Sequence, residues 1–341
     1  MLAAGKSKPG PGVDVFEIDK PKLGPKDILI KVKVASICGT DRHYYKWTGF
    51  AQEHAKKFPM VLGHEVAGEV VEVGKNVDRI AIGDRVTFET HEPDGTCYLC
   101  RTGRMHICLD WKLVAGSFAE YQRGPEFCAI KLPKEISYEE GAVLEPLGVA
   151  SHAVQRANIK PGDFVVVTGC GPIGIWTQKL AKLVGATVVA TGNKDLRIDF
   201  ARNYTGATEV IDVRKTDAVE RVKKLTDGKK ADVVIELAGS EDAIKSAISM
   251  VGRGGRIVFA GIAAKDMPIP LTEIFYINEI DMIGMSGRLI FETWERVLRL
   301  VSTKTVDVRP LITKSFPLKE ASKAFELLDK GDAMKVQLVP P

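Results

Sequence analysis

The run Phe164-Val165-Val166-Val167-Thr168-Gly169-Cys170-Gly171-Pro172-Ile173-Gly174 governs how this chain is read. Five strand-favouring residues end in a GxGxxG turn and an amphipathic stretch follows from Ile173 to Val184, so the motif stands in the strand, turn, helix context that gives it meaning. Gly169, Gly171 and Gly174 let the backbone turn tightly and approach a pyrophosphate, whose charge sits on free N–H groups at the helix start beside Ile173. The pattern repeats downstream. Strand-like Thr187 to Thr191, Ala231 to Glu236, Arg256 to Phe259 and Ile280 to Met285 alternate with helix-like Leu196 to Tyr204 and Ala243 to Met250. Such short apolar runs predict a buried parallel sheet with helices on its faces, an α/β doubly wound domain. Gly261 and Ile262, with Met285 and Ser286, follow the later strands and complete the expected cofactor set.

The second strand of an NAD site ends in Asp or Glu about 20 residues after the glycines, where the acid holds the adenosine ribose. Here it ends in Gly192, followed by Asn193 and Lys194. Gly192 leaves space for a 2′-phosphate, Asn193 can donate to it, and Lys194 with Arg197 supplies positive charge, so NADP is favoured over NAD. The alternative is that Asp195 serves the ribose from one position later, although it falls at a helix start where a capping role is available.

Working outward, the first 130 or so residues read as mostly β, with Ile28 to Val34 and Val61 to Val73 as β-branched runs. From Phe291 the chain is helical, with Trp294, Val297, Leu298 and Val301 at spacings of three and four, and it ends in the apolar Val336 to Val339. This tail is expected to return to the first domain. With 341 residues, more than twice the roughly 150 of a typical domain, two domains are expected. Hydrophobic residues at 45% and charged residues at 27% leave no room for extensive disorder. A net charge of +4 without a basic block argues against nucleic acid. No stretch approaches the roughly 18 apolar residues of a membrane span, and the start lacks a signal peptide's apolar core. The cytoplasm is the expected compartment. In that setting the run Cys97, Cys100, Cys108 points to metal rather than disulfides, while Cys128 and Cys170 read as small buried hydrophobes. Cys38 in CGTDRH and His64-Glu65 after Gly63 offer thiolate, imidazole and carboxylate from separate loops, the donor set of a catalytic Zn²⁺ with an open position.

Together the CGTDRH motif at 38 to 43, Gly63 to Gly74 (GHEVAGEVVEVG), the cysteine run, Glu145-Pro146-Leu147-Gly148 and the GCGPIG turn resemble the zinc-dependent medium-chain dehydrogenase family over essentially the whole chain. Trp47 with Ala51-Gln52, Glu89-Thr90-His91, Phe118 to Tyr121, Gly287-Arg288 and Phe291 to Trp294 are similar to its L-threonine 3-dehydrogenase branch. The resemblance implies a GroES-like, mostly β catalytic domain over 1–150 and 290–341 and a Rossmann domain over 151–289. It assigns Cys38, His64 and Glu65 to the catalytic zinc, with Glu145 beside it, exchanging with Glu65 or acting from just outside. It makes Thr40 and His43 a proton relay, and it places His91 and Arg288 near the substrate or the cofactor pyrophosphate. The family's structural zinc takes four cysteines, and here Asp94 replaces the first, giving Asp94, Cys97, Cys100 and Cys108. Gly148-Val149-Ala150-Ser151 replaces the usual GNAV, and the loop from Cys108 to Phe118 is short. The expected reaction is hydride transfer from a secondary alcohol to NAD(P), by a homotetramer pairing through the edge strand near Ile280 to Met285. A polyol or sugar dehydrogenase is the nearer alternative; a non-catalytic dinucleotide-binding protein is the more distant one.

Overall fold

The computed structural model describes residues 1–263 and 266–341 and divides into two compact units, Met1–Glu145 with Leu289–Pro341, and Pro146–Arg288. The expected divisions at 150 and 290 thus compare with 145 and 288 in the structure.

In the first unit, Asp27–Ser36 is the central strand of a seven-stranded sheet, because Ile28, Ile30 and Val32 alternate inward and are fully buried. It pairs antiparallel with Glu65–Val73, with Tyr121–Pro125 and with the C-terminal strand Lys335–Val339, where Leu338 faces Ala35. The tail therefore folds back into the first unit. Its helix Glu292–Ser302 buries Trp294, Val297 and Val301, each such side chain contributing roughly 1.5 to 3 kcal/mol of burial. The expected run Val61 to Val73 is two strands, Met60–Val61 and Glu65–Val73. The break is at Gly63, whose φ of 87° only glycine adopts without strain. His64 stands in that break.

The second unit holds six parallel strands in the order Glu209–Asp212, Thr187–Gly192, Phe164–Thr168, Ala231–Glu236, Val251–Phe259, Asp281–Gly284. Numbered along the chain from Phe164–Thr168, that order is 3-2-1-4-5-6, which leaves a crevice at the carboxyl ends of the strands where the direction of winding reverses. Val165, Val166 and Val167 are all buried, as both faces of a parallel strand require. Among the described residues no helix is long and apolar enough to cross a membrane.

Candidate active site

Cys38 precedes the helix Gly39–Lys46, and Asp41 in its first turn is buried. One carboxylate oxygen of Asp41 accepts the Cys38 N–H at 2.9 Å and the other accepts the Gly63 N–H at 3.2 Å. Asp41 therefore fastens the two ligand-bearing loops together. Donor atoms of Cys38, His64 and Glu65 lie within 4.8 Å of one another. Glu65 is held from behind: Lys335, buried with it, binds Oε2 and also donates to the Ile37 carbonyl at 2.9 Å. Oε1 of Glu65 is buried with no hydrogen-bond partner among the described residues, an arrangement that costs about 1–3 kcal/mol unless something else takes the oxygen. Burial opposes a charge on His64, yet Cys38, Asp41 and Glu145 draw a proton onto it and raise it to about 10. A donor set so rich in negative charge fits a dication. Glu145 is buried near enough to act on His64 and Glu65 but does not join the three converging donors.

Thr40 and His43 lie on the same helix, three residues apart and so on one face. The Cys38 thiol reaches Thr40 Oγ1 at 3.8 Å, and His43 Nδ1 meets Thr48 Oγ1 at 3.1 Å. Burial, then Arg42 and Lys46, hold the His43 imidazole below its ordinary value of 6.5.

The second expected metal group also converges, with one donor atom from each of Asp94, Cys97, Cys100 and Cys108 within 4.8 Å of the others. Cys97 Sγ lies 3.6 Å from Cys100 Sγ and 3.8 Å from Cys108 Sγ, close to the roughly 3.8 Å edge of a tetrahedron with Zn–S bonds of about 2.3 Å. Asp94 Oδ1 accepts the N–H groups of Cys97 and Thr96, which with smaller contributions from the Cys100 and Cys108 thiols bring its carboxyl down to about 2. These residues fit zinc.

In the second unit a cavity of about 940 Å³ opens at the carboxyl ends of the strands. Gly169, Gly171, Gly192, Asn193 and Arg197 of the expected cofactor set line it. A Cβ on Gly174 would stand 2.0 Å from the Gly169 carbonyl oxygen, so only glycine lets the helix Pro172–Val184 start this close to the turn. No side chain caps that helix, and its first N–H groups remain for an anion. The cradle fits a pyrophosphate. Ile173 stands in the helix and Lys194 is exposed at the start of the next one. Ile173, Gly174, Lys194, Gly261, Ile262, Met285 and Ser286 are not among the lining residues; Gly261 donates to the Glu236 carbonyl at 2.9 Å, and Ile262 and Ser286 are exposed. The capping role expected for Asp195 is not there. Lys194 occupies the cap position, and the Asp195 carboxylate instead binds Arg214.

His91 is half-buried, edge-on to Trp111 with ring centroids 4.3 Å apart. Glu89 is fully buried beneath it, accepting the His91 backbone N–H at 2.8 Å and the Trp294 indole N–H at 2.7 Å. Arg288 is buried, its stem against Gly148. Asp41, Glu89, Lys335 and Arg214 are the residues that sequence reasoning did not assign. Asp41 and Glu89 lie inside quoted motifs, whereas Lys335 is 270 positions from the carboxylate it serves.

Residues 24–134 match the alcohol dehydrogenase GroES-like domain and residues 172–303 the zinc-binding dehydrogenase domain. The chain is 39% identical to an L-threonine 3-dehydrogenase of Bacillus licheniformis, covering 98% of this chain and 97% of that protein. Among solved structures, a zinc-binding dehydrogenase from Sinorhizobium meliloti bound to NADP superposes with a TM-score of 0.91 at 30% identity over 99% of both chains. The 2R,3R-butanediol dehydrogenase of Bacillus subtilis gives 0.88 at 30% identity, over 100% of this chain and 99% of its own.

Proposed function

We propose that this chain, which belongs to the zinc-dependent medium-chain alcohol dehydrogenase family close to threonine dehydrogenase, oxidises a vicinally substituted secondary alcohol of the L-threonine type with NADP. It is an oxidoreductase acting on CH–OH donors. The convergence of Cys38, His64 and Glu65 about a partnerless buried oxygen carries the reading. Held by Cys38, His64 and Glu65, zinc would supply Lewis acidity toward an alcohol oxygen, and a nicotinamide cofactor would supply the hydride acceptor.

The protein's own residues do the rest. Asp41 and Lys335 fix the ligand loops, so the donor atoms need no rearrangement when charge develops. Thr40 Oγ1 accepts the proton and His43 carries it outward. Because Nδ1 of His43 is engaged by Thr48, Nε2 is the atom that exchanges with water. His91 is the candidate for the substrate side of the metal site in its own unit, and Arg288 separately offers a guanidinium suited to a carboxylate or to the cofactor pyrophosphate. Asp94, Cys97, Cys100 and Cys108 hold a second, structural zinc. Gly192, Asn193 and Arg197 form the phosphate-accepting end of the cofactor site, with the exposed Lys194 adding positive charge to the same loop, and the enzyme works in the cytoplasm as a homotetramer.

The test is a panel of L-threonine, 2,3-butanediol, sorbitol and free aldoses, each with NADP and NAD. Highest kcat/KM on L-threonine with NADP is expected. Turnover of polyols alone would remove the threonine-type substrate, and loss of no activity in Cys38→Ser would remove the metal site.

A further inference from the structure

We propose that Arg214, clamped by Asp212 and latched by Asp195, reads the 2′-phosphate of NADP, which takes the place of the Asp195 carboxylate on the guanidinium. This deepens the NADP reading above and rests on it. Asp212 is the strand partner of Gly192, and the Val213 N–H donates to the Gly192 carbonyl at 3.1 Å. Arg214 therefore emerges two residues beyond Asp212, the residue that faces Gly192, where an NAD site keeps its acid. Gly192 itself cannot easily carry one: a Cβ there would lie 3.0 Å from Cys170 Sγ and 3.1 Å from Ile198 Cγ1.

The guanidinium is already oriented. Its Nε and Nη2 donate to the two oxygens of Asp212 at 2.8 and 2.7 Å, a bidentate fork on a carboxylate that is only 10% exposed. Nη2 also donates to Asp195, whose side chain is 80% exposed. Among the described residues no acceptor takes the two N–H groups of Nη1. The Asp212 fork fixes the plane and the Asp195 contact is a solvent-screened pair, worth little and readily exchanged. Arg197, Arg214 and Lys215 all line the cofactor cavity. A phosphate dianion entering beside Gly192 meets two unsatisfied donors on a preset guanidinium and gains a better ligand than the carboxylate it displaces.

Because Asp195 competes for the same guanidinium and repels the same dianion, its removal should help the phosphate. The zinc-loaded full chain is titrated calorimetrically with adenosine 2′,5′-bisphosphate and with adenosine 5′-monophosphate, two probes that differ by the 2′-phosphate. The wild type is expected to bind the bisphosphate more tightly. Arg214→Gln should weaken the bisphosphate about tenfold, the scale of one partly screened charge-assisted contact, and leave the monophosphate within about twofold, which also reports an intact fold. Asp195→Asn should tighten the bisphosphate severalfold. If the wild type favours the monophosphate, the NADP reading falls and this inference with it. If the wild type favours the bisphosphate but Arg214→Gln preserves that preference, the cofactor reading stands and Arg214 is not its reader.

Discussion

Two side chains set the chemistry at the residue scale. His43 is held neutral by burial, Arg42 and Lys46, so the acid limb of kcat/KM should lie below pH 6.5, because the relay needs an imidazole that can accept. The sign for stability is the same. The unfolded chain takes the proton first, so the contribution is whole above 6.5 and is lost as pH falls through the lower folded value. His43→Ala should reduce kcat by about 10²- to 10⁴-fold and respond to added imidazole; an unchanged pH–rate profile would take His43 out of the relay. Lys335 is the second. With Glu65 it forms an ion pair whose side chains are 4% and 1% exposed, and removing one partner of such a pair costs about 3 to 5 kcal/mol. Lys335→Met should therefore lower unfolding stability by about 3 kcal/mol after chelation and by less with zinc present, since the metal then answers the Glu65 charge. Denaturant unfolding with and without chelator checks this, and equal losses in both states would mean that zinc and Lys335 do not share that carboxylate. His64 was legible because it follows a glycine in a recognisable motif. Lys335 was not, since no local pattern marks a buried lysine whose partner is 270 residues away.

Among the elements, the lobe around Asp94 to Cys108, which has an aspartate where the resemblance implies a cysteine, makes a definite geometric demand. Asp94 spends Oδ1 on two N–H groups and has one oxygen left, so it can act as a single ligand. The purified protein should carry two zinc ions per chain by elemental analysis. Asp94→Ala should carry one, and Asp94→Cys should carry two and resist chelation longer, thiolate being the softer donor. Two ions retained in Asp94→Ala would exclude the aspartate from the coordination. The parallel strands were readable within a few residues because burial on both faces makes each an apolar run, as in Phe164–Thr168 and Ala231–Glu236. The strand Glu209–Asp212 was not singled out. Its acids, Glu209 paired with Arg221 and Asp212 with Arg214, disguise a sheet position as a polar loop, and the clamp on Arg214 was hidden with it. Likewise Val61 to Val73 reads as one run because a single glycine at positive φ breaks it without disturbing the composition.

For the whole molecule, the proposed homotetramer, if built with dihedral symmetry, needs two different self-complementary surfaces, and two exposed apolar regions are the candidates. Among the described residues the strand Asp281–Gly284 is an outer edge of its sheet, paired with the strand Val251–Phe259 on one side, and an edge without a strand partner is a template for pairing with another chain. Leading into it, Leu271, Phe275, Tyr276 and Ile277 expose 56%, 48%, 88% and 48% of their surface. Antiparallel pairing of this edge with its copy about a two-fold axis would join two six-stranded sheets and cover those side chains. The second surface is the cysteine lobe, where Tyr98, Leu109 and Leu113 are 61%, 69% and 54% exposed. Light scattering at micromolar concentration should give the mass of four chains. Tyr276→Asp places a charge on the first surface and Leu109→Asp on the second, so each variant should run as a two-chain species held by the surface left intact. The double variant should be monomeric, with folding preserved because both side chains lie on the outside. A wild type that runs as one chain would leave the edge strand without its partner; dimers from the wild type that only Tyr276→Asp dissociates would keep the edge pairing and remove the lobe contact.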